Sequence, residues 1–250
     1  MKVTFRVPRF DAATDFTAKY QIYHVEVTPY TTILDALNII KEEQDSTLAF
    51  RRGSQSGIDG SCGMMVNGRN RLASTTRVMG LNATEIALGP LPGFPVIRDL
   101  VVDFDSFFAK DAVMLPYLVT DIAKPEDGKE RLQSPKDANR IALAATCNQC
   151  GCCTSACPVH WSNGEYYGPS ALTRAYRFVE DSRDTAIKAR LEIVGSETGV
   201  WRCHTIFNCS ECPKSIPNGE NIQALKRKIM LNKIGLGRIE VKVARTEATV

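Results

Sequence analysis

Cys147-Asn148-Gln149-Cys150-Gly151-Cys152-Cys153-Thr154-Ser155-Ala156-Cys157-Pro158 contains the run C-x2-C-x2-C-x3-C-P at positions 147, 150, 153 and 157. That run is the bacterial ferredoxin pattern, in which the fourth cysteine ligates the other of two clusters. Three thiolates at steps of three follow one tight loop and can all point at a single cubane, while the fourth, held before a proline, is directed away. A returning set lies downstream in Cys203-x5-Cys209-x2-Cys212-Pro213, where the position three after Cys203 is Ile206 rather than cysteine. The simplest assignment gives Cys147, Cys150, Cys153 and Cys212 to a 4Fe-4S cluster, and Cys157, Cys203 and Cys209 to a cluster with only three thiolates. Three ligands with an isoleucine at the fourth corner suit a 3Fe-4S cluster. Structural zinc is the alternative, because paired C-x2-C motifs also build tetrahedral zinc sites. Zinc leaves the third step of the run and both Cys-Pro pairs without a reason. Cys152 lies off the register and reads as a small buried apolar residue beside a cluster.

Working outward, eight of the nine cysteines fall in the second half of the 250 residues, and Cys62 stands alone in the first. The length allows one or two domains with a substantial core. Hydrophobic residues at 44% and charged residues at 24% are ordinary globular usage, which sets disorder and low complexity aside. A net charge of +3, evenly spread, gives no basis for nucleic-acid binding through phosphate neutralisation. The opening Met1-Lys2-Val3-Thr4-Phe5-Arg6-Val7 alternates like a strand, unlike a secretory signal or an Arg-rich presequence. Targeting is therefore expected to be internal, to lie in a presequence outside this stretch, or to be unnecessary in a bacterium. The longest apolar stretches, Ile141 to Ala145 and Val96 to Val102, fall far short of the roughly 20 residues that span a bilayer, so membrane attachment is expected only through a partner.

Val3, Phe5 and Val7 alternate, as do Tyr23, Val25 and Val27, which predicts two strands joined by a polar turn. Thr32 and Asp35 then form a capping-box start for a helix with Ile33, Leu37 and Ile40 on one face. Strand, strand, helix is a β-grasp opening. Residues 50–74 are rich in Gly, Ser and Asn and read as a loop wrapped around something. Ile86 to Leu88 and Val96 to Val102 read as further strands, after which the strand pattern stops and a boundary near residue 105 is expected. Beyond it the chain reads as helices separated by cysteine loops. Asp121 to Lys136 is a surface connection, Ser170 caps a helix carrying Leu172, Ala175, Tyr176 and Val179, and a second helix carries Ile222, Leu225 and Ile229. Residues 236–250, with Ile239, Val241 and Val243 alternating, form an added strand or a loose tail.

A plant-type 2Fe-2S loop needs C-x4-C-x2-C and a later fourth cysteine. Laid over Phe50 to Cys62, that template falls on Ser54, Asp59 and Cys62, with Ser74 as the fourth. The loop length survives and three of four thiolates do not. Hydroxyl and carboxylate oxygens are hard ligands, poorly matched to a cluster that soft thiolate stabilises, so no 2Fe-2S cluster is expected in this chain.

Over nearly its whole length the sequence resembles the iron–sulfur subunit of succinate dehydrogenase and fumarate reductase, respiratory complex II. The resemblance is carried by Phe50-Arg51-Arg52, Asn67-Gly68, Pro90-Leu91-Pro92, Val96-Ile97-Arg98-Asp99-Leu100-Val101, the cysteine run, Gly168-Pro169, Ala175-Tyr176-Arg177, Asp181-Ser182-Arg183-Asp184 and Arg202-Cys203-His204-Thr205-Ile206. It implies an α+β chain, with a β-grasp ferredoxin domain at 1–105 and an α-helical ferredoxin domain at 106–250. It also implies a relay from the FAD of a flavoprotein subunit through 2Fe-2S, 4Fe-4S and 3Fe-4S to a quinone at membrane anchor subunits. The family's ligand positions agree with the assignment made from spacing. Its quinone-proximal positions fall on Pro158, Trp161, Ser162, His204 and Ile206, although His204 can equally satisfy a buried hydrogen bond and Trp161 can be packing.

Three departures from the family pattern stand out: the lost 2Fe-2S thiolates, the two-residue spacing between Cys209 and Cys212 where the family has three, and Ser162 in place of a second tryptophan. Euglenozoan complex II, whose iron–sulfur subunit is divided into a 2Fe-2S chain and a bacterial-type chain, is similar to the second kind of chain this sequence presents. A separate 2Fe-2S chain is then the expected electron donor, ubiquinone the acceptor, and the matrix side of the mitochondrial inner membrane the location, with the cytoplasmic face of a bacterial membrane as the alternative. The competing readings are an iron–sulfur subunit of a glycolate- or heterodisulfide-type flavin dehydrogenase, and a zinc-holding assembly protein.

Overall fold

A computed structural model of the chain describes residues 1–235; the strand or tail expected at 236–250 lies outside them. Val3, Phe5 and Val7 are fully buried along β1 (Lys2–Arg9), and Tyr23, Val25 and Val27 face the same core from β2 (Lys19–Glu26) and the residue after it. The two pair antiparallel, Val3 opposite Val25 and Phe5 opposite Tyr23, so both alternations deliver their apolar faces to one side. α1 (Ile33–Ile39) begins at the expected capping box: the Asp35 amide donates to Thr32 Oγ1 at 3.1 Å and the Thr32 amide donates to Asp35 Oδ2 at 2.9 Å. It buries Ile33, Leu34 and Leu37 against the sheet.

The stretch read as one loop contains a hairpin, which corrects that expectation. β3 (Gly63–Val66) and β4 (Arg69–Leu72) pair around Asn67-Gly68, both with positive φ (49° and 78°), the backbone that a two-residue hairpin turn requires. Their four-residue lengths hide the period in a glycine-rich context. β5 (Glu85–Gly89) runs parallel to β1 and completes a five-stranded sheet in the order β2-β1-β5-β3-β4. The strand expected over Val96 to Val102 is a small hairpin instead, β6 (Val96–Arg98) and β7 (Val101–Val102). Its bend is at Asp99 (φ 47°), whose buried carboxylate accepts from the Phe10 amide at 2.9 Å, the Ala49 amide at 2.8 Å and Arg9 Nε at 3.1 Å. Those three bonds outweigh the extended preference of the flanking valines.

The rest is helical: α2 (Asp105–Val113), α3 (Pro135–Ala145), α4 (Cys152–Ser155), α5 (Pro158–Ser162), α6 (Gly168–Val179), α7 (Ile187–Val194) and α8 (Asn218–Lys233). The surface connection ends at Ser134, which caps α3, so Pro135 and Lys136 are helical rather than linker. Ser170 is not a cap. Pro169 in the first turn starts α6 two residues earlier, and Ser170 sits buried inside it with its amide facing Thr154 Oγ1 at 3.4 Å. Leu172, Ala175 and Val179 of α6, Leu191 and Val194 of α7, and Ile222, Leu225 and Ile229 of α8 form one core. The sheet's core reaches further along the chain than its strands do and takes in Phe107, Cys150 and Cys152. The cysteine run is thereby seated on the β-sheet half.

Candidate iron–sulfur sites

α3 ends at Ala145, and the chain turns through Cys147 and Cys150 into Gly151, whose φ of +77° opens α4. A Cβ on Gly151 would stand 2.8 Å from the Phe104 ring, so glycine is required both for the backbone and for the close approach. α4 carries Cys152 and Cys153 in its first turn, and Cys157 stands in extended conformation immediately before Pro158. Cys153 feels Cys150, Cys147 and Cys212 most strongly among the other thiols, whereas Cys209 feels Cys203 and Cys157. Cys150, Cys147 and Cys212 are thus the nearest thiol neighbours of Cys153, with Cys209 also within its range, while Cys157, Cys203 and Cys209 border one cavity.

Both sets are buried or half-buried. Burial pushes the Cys153 thiol well above its ordinary pKa, with mutual repulsion from Cys150, Cys147 and Cys212 adding to the effect. Burial likewise raises Cys147 and Cys157, the latter partly offset by the nearby backbone N–H groups of His160 and Val159, which favour its thiolate. Cys209 is pushed up to about 12 by burial and by Cys203 and Cys157. Cys150 moves the other way, lowered by a hydrogen bond with Cys152, which is itself held well above its usual value by the same bond. The off-register Cys152 is fully buried, as expected. Crowded, buried thiols of this kind lose their protons only to a group that brings positive charge, which is what iron supplies.

The chemistry of these donors fits iron–sulfur clusters. Among the described residues no three His, Cys, Asp or Glu side chains converge as the ligands of one metal ion do. Cys157, Cys203 and Cys209 instead border a small cavity walled by Val159, Pro169, Ile206 and Ile222. The hydroxyl of Tyr166, fully buried in that wall, has no hydrogen-bond partner of full geometry; the acceptor it faces is the Cys203 thiol.

Of the quinone-proximal positions, Pro158, His204 and Ile206 line this cavity, while Trp161 and Ser162 do not. His204 is exposed, so the buried-hydrogen-bond alternative does not apply to it. Trp161 Nε1 donates to the Ser155 carbonyl at 2.7 Å, and its ring covers Gly93; Ser162 Oγ donates to the Val159 carbonyl at 3.2 Å within its own helix.

The positions of the degenerate loop are filled from within. Asp59 Oδ2 accepts from the Ser54 amide at 2.7 Å, and Oδ1 accepts from the Ser61 amide and hydroxyl, each at 3.1 Å. Buried Cys62 and Ser74 bond to each other, Sγ to Oγ, at 3.0 Å. The same loop braces the cysteine run: Asn148 Nδ2 donates to the Gly57 carbonyl at 2.8 Å, and a Cβ on Gly60 would stand 2.6 Å from the Asn148 carbonyl oxygen.

Residues 4–109 match the family described as a 2Fe-2S iron-sulfur cluster binding domain, and residues 143–216 match the 4Fe-4S dicluster domain. The chain is 36% identical to the succinate dehydrogenase iron-sulfur subunit of Coxiella burnetii, covering 91% of this chain and 97% of that one. The chain belongs to the family of succinate dehydrogenase iron–sulfur subunits. A mitochondrial member from Candida glabrata is 42% identical over 79% of this chain and 78% of its own. A solved structure titled Mycobacterium smegmatis Sdh1 complex in the apo form superposes with a TM-score of 0.79 at 28% identity, covering 93% of this chain and 97% of that one. The α+β architecture, with a 2Fe-2S ferredoxin-like first part and a dicluster second part, is the succinate dehydrogenase family's own. Neither the glycolate- or heterodisulfide-type reading nor the zinc-holding reading finds support among these relatives. Spacing of cysteines gave no sign of Tyr166 or of the Asp59 network, because neither residue type repeats with the ligands.

Proposed function

We infer that the chain is the electron-relay subunit of a succinate:ubiquinone oxidoreductase in which this polypeptide itself has no 2Fe-2S cluster. What carries the reading is the separation of seven thiols into two buried sets joined through α4, in a member of the succinate dehydrogenase family. Cys147, Cys150, Cys153 and Cys212 hold a 4Fe-4S cluster, and Cys157, Cys203 and Cys209 hold a 3Fe-4S cluster. When bound, these clusters supply one-electron carriers between a flavoprotein side and ubiquinone. The chain's own part is to fix the carriers in line, keep water from the thiols and present Pro158, His204 and Ile206 at the outgoing end.

Ser54, Asp59, Cys62 and Ser74 are bonded among themselves and their neighbours, which supports a first domain kept without its cluster. A separate 2Fe-2S chain then bridges from the FAD-binding subunit. We assign the β-grasp domain to 1–105 and the helical ferredoxin domain to 106–250. No helix among the described residues is long and apolar enough to cross a membrane. In this reading attachment comes through anchor subunits, on the matrix side of the mitochondrial inner membrane or on a bacterial cytoplasmic face. EPR of the assembled complex tests the ligand sets. Cys209→Ser should abolish the oxidised 3Fe-4S signal and leave the reduced 4Fe-4S signal; Cys150→Ser should do the reverse. Loss of both signals in each variant, with normal complex assembly, contradicts the two-set assignment.

A further inference from the structure

We propose that the Tyr166 hydroxyl donates a hydrogen bond to the Cys203 sulfur of the cluster held by Cys157, Cys203 and Cys209, and that this bond raises the cluster's reduction potential. The proposal rests on the reading of that cavity as a 3Fe-4S site.

Tyr166 is fully buried, and its hydroxyl oxygen has no partner of full hydrogen-bonding geometry among the described residues. A buried hydroxyl without a partner is costly and uncommon. Its ring belongs to the helical core with Leu172, Ala175 and Ile222, and a phenylalanine would pack there equally well, so the oxygen needs a reason of its own. The reason lies in what it faces. Cys203, Cys157 and Cys209 line the same cavity as Tyr166, and Cys203 is the sulfur close enough to serve as an acceptor for the hydroxyl. A phenol ordinarily titrates at about 10, so the hydroxyl keeps its proton and remains a donor at physiological pH.

The three sulfurs are not equivalently supported. The backbone N–H groups of His160 and Val159 lie near Cys157 and favour its thiolate, although the His160 amide donates to the Cys157 carbonyl at 3.0 Å. Around Cys203 the Lys226 ammonium donates to the backbone carbonyl at 2.8 Å, and the Tyr166 phenol is the buried side-chain donor in the cavity wall. The cavity walls are apolar, so a single hydrogen bond acts at low local dielectric and carries more weight than in water. Adding one electron makes the cluster and its thiolates more negative. A fixed donor therefore stabilises the reduced form more than the oxidised form, with no proton transferred. At the outgoing end of a relay, a higher potential draws the electron forward.

The test is a dithionite redox titration of the assembled complex, following the oxidised 3Fe-4S EPR signal in wild type and Tyr166→Phe. At the wild-type midpoint the variant's reduced-to-oxidised ratio should fall about tenfold, a shift of about 59 mV for one electron. In D2O, pulsed ENDOR should show an exchangeable deuteron coupled to the wild-type cluster and missing from the variant. Should Tyr166→Phe fail to assemble, 3-fluorotyrosine at position 166 keeps the ring, strengthens the donor and should raise the midpoint. An unchanged midpoint in the phenylalanine variant, or in the fluorotyrosine protein, overturns the Tyr166 bond while leaving the cluster assignment standing. A wild-type complex with no 3Fe-4S signal overturns the cluster assignment and this proposal together.

Discussion

Asp59 occupies a position where a thiolate would be expected, and its carboxylate collects N–H bonds from Ser54 and Ser61 together with the Ser61 hydroxyl. A cluster in such a loop would accept amide hydrogens through its sulfur atoms; here a fixed anion of the chain accepts them instead. The backbone bonds from Ser54 and Ser61 lower the Asp59 pKa despite some opposing desolvation. A carboxyl whose folded pKa is depressed contributes stability above its unfolded value and loses it as pH falls through the folded value. Hydrogen exchange read residue by residue should therefore show the amides of Ser54 and Ser61 protected at neutral pH. Asp59→Ala should speed their exchange by a few-fold, since a hydrogen bond to a solvent-exposed charged group contributes about 1 kcal/mol or less. Asp59→Asn should be intermediate. Unchanged protection in Asp59→Ala would show that the loop is held by something else.

At the scale of elements, α7 owes its place to a fully buried arginine rather than to a long apolar stripe. Arg190 pairs with Asp184 through Nη2 at 2.8 Å and donates to the carbonyls of Met114 and Leu115 at 2.6 and 2.5 Å and of Tyr117 at 2.8 Å, with its guanidinium 4.5 Å from the Phe178 ring centroid. It thereby ties the segment after α2 to the helical core. Arg190→Met leaves the buried Asp184 carboxylate without its counter-charge, held only by the Val119 and Ala186 amides, takes a donor from three carbonyls, and should cost about 3–5 kcal/mol, read as a lower denaturant midpoint. Arg190→Met with Asp184→Asn should recover part of the loss, and a full-size loss in the double variant would show that the carbonyls, not the charge, dominate.

The same element explains the limits of legibility. β1, β2 and α1 were readable because Val3, Phe5 and Val7, or Thr32 with Asp35, each state a period or a cap. α7 was not, because the residue that fixes it is charged and its partners lie in distant loops. β3 and β4 were hidden by their shortness, and the bend at Asp99 by hydrogen bonds that join residues 50 and 90 positions apart.

Across the whole molecule, the two halves are locked where the degenerate loop meets the cysteine run. Asn70 Nδ2 donates to the Cys152 carbonyl at 3.0 Å, and Asn148 Nδ2 to the Gly57 carbonyl at 2.8 Å, bonds that join residues more than 80 positions apart. The β-sheet half thereby braces the segment 147–157, a structural role that does not depend on what its own stretch 54–74 holds. The dicluster character of residues 143–216 was legible from spacing, since a cluster dictates the steps between its thiolates. The Tyr166 hydroxyl and the Asp59 network were not, because they depend on which side chains the fold brings face to face.

The central claim is that this chain carries two clusters and lacks a third. Native mass spectrometry of the assembled complex, with this subunit released holding its clusters, counts its iron directly. The account predicts one 4Fe-4S and one 3Fe-4S, about seven irons in all. A mass corresponding to about nine irons, with a 2Fe-2S cluster on the Ser54, Asp59, Cys62 and Ser74 loop, would contradict it.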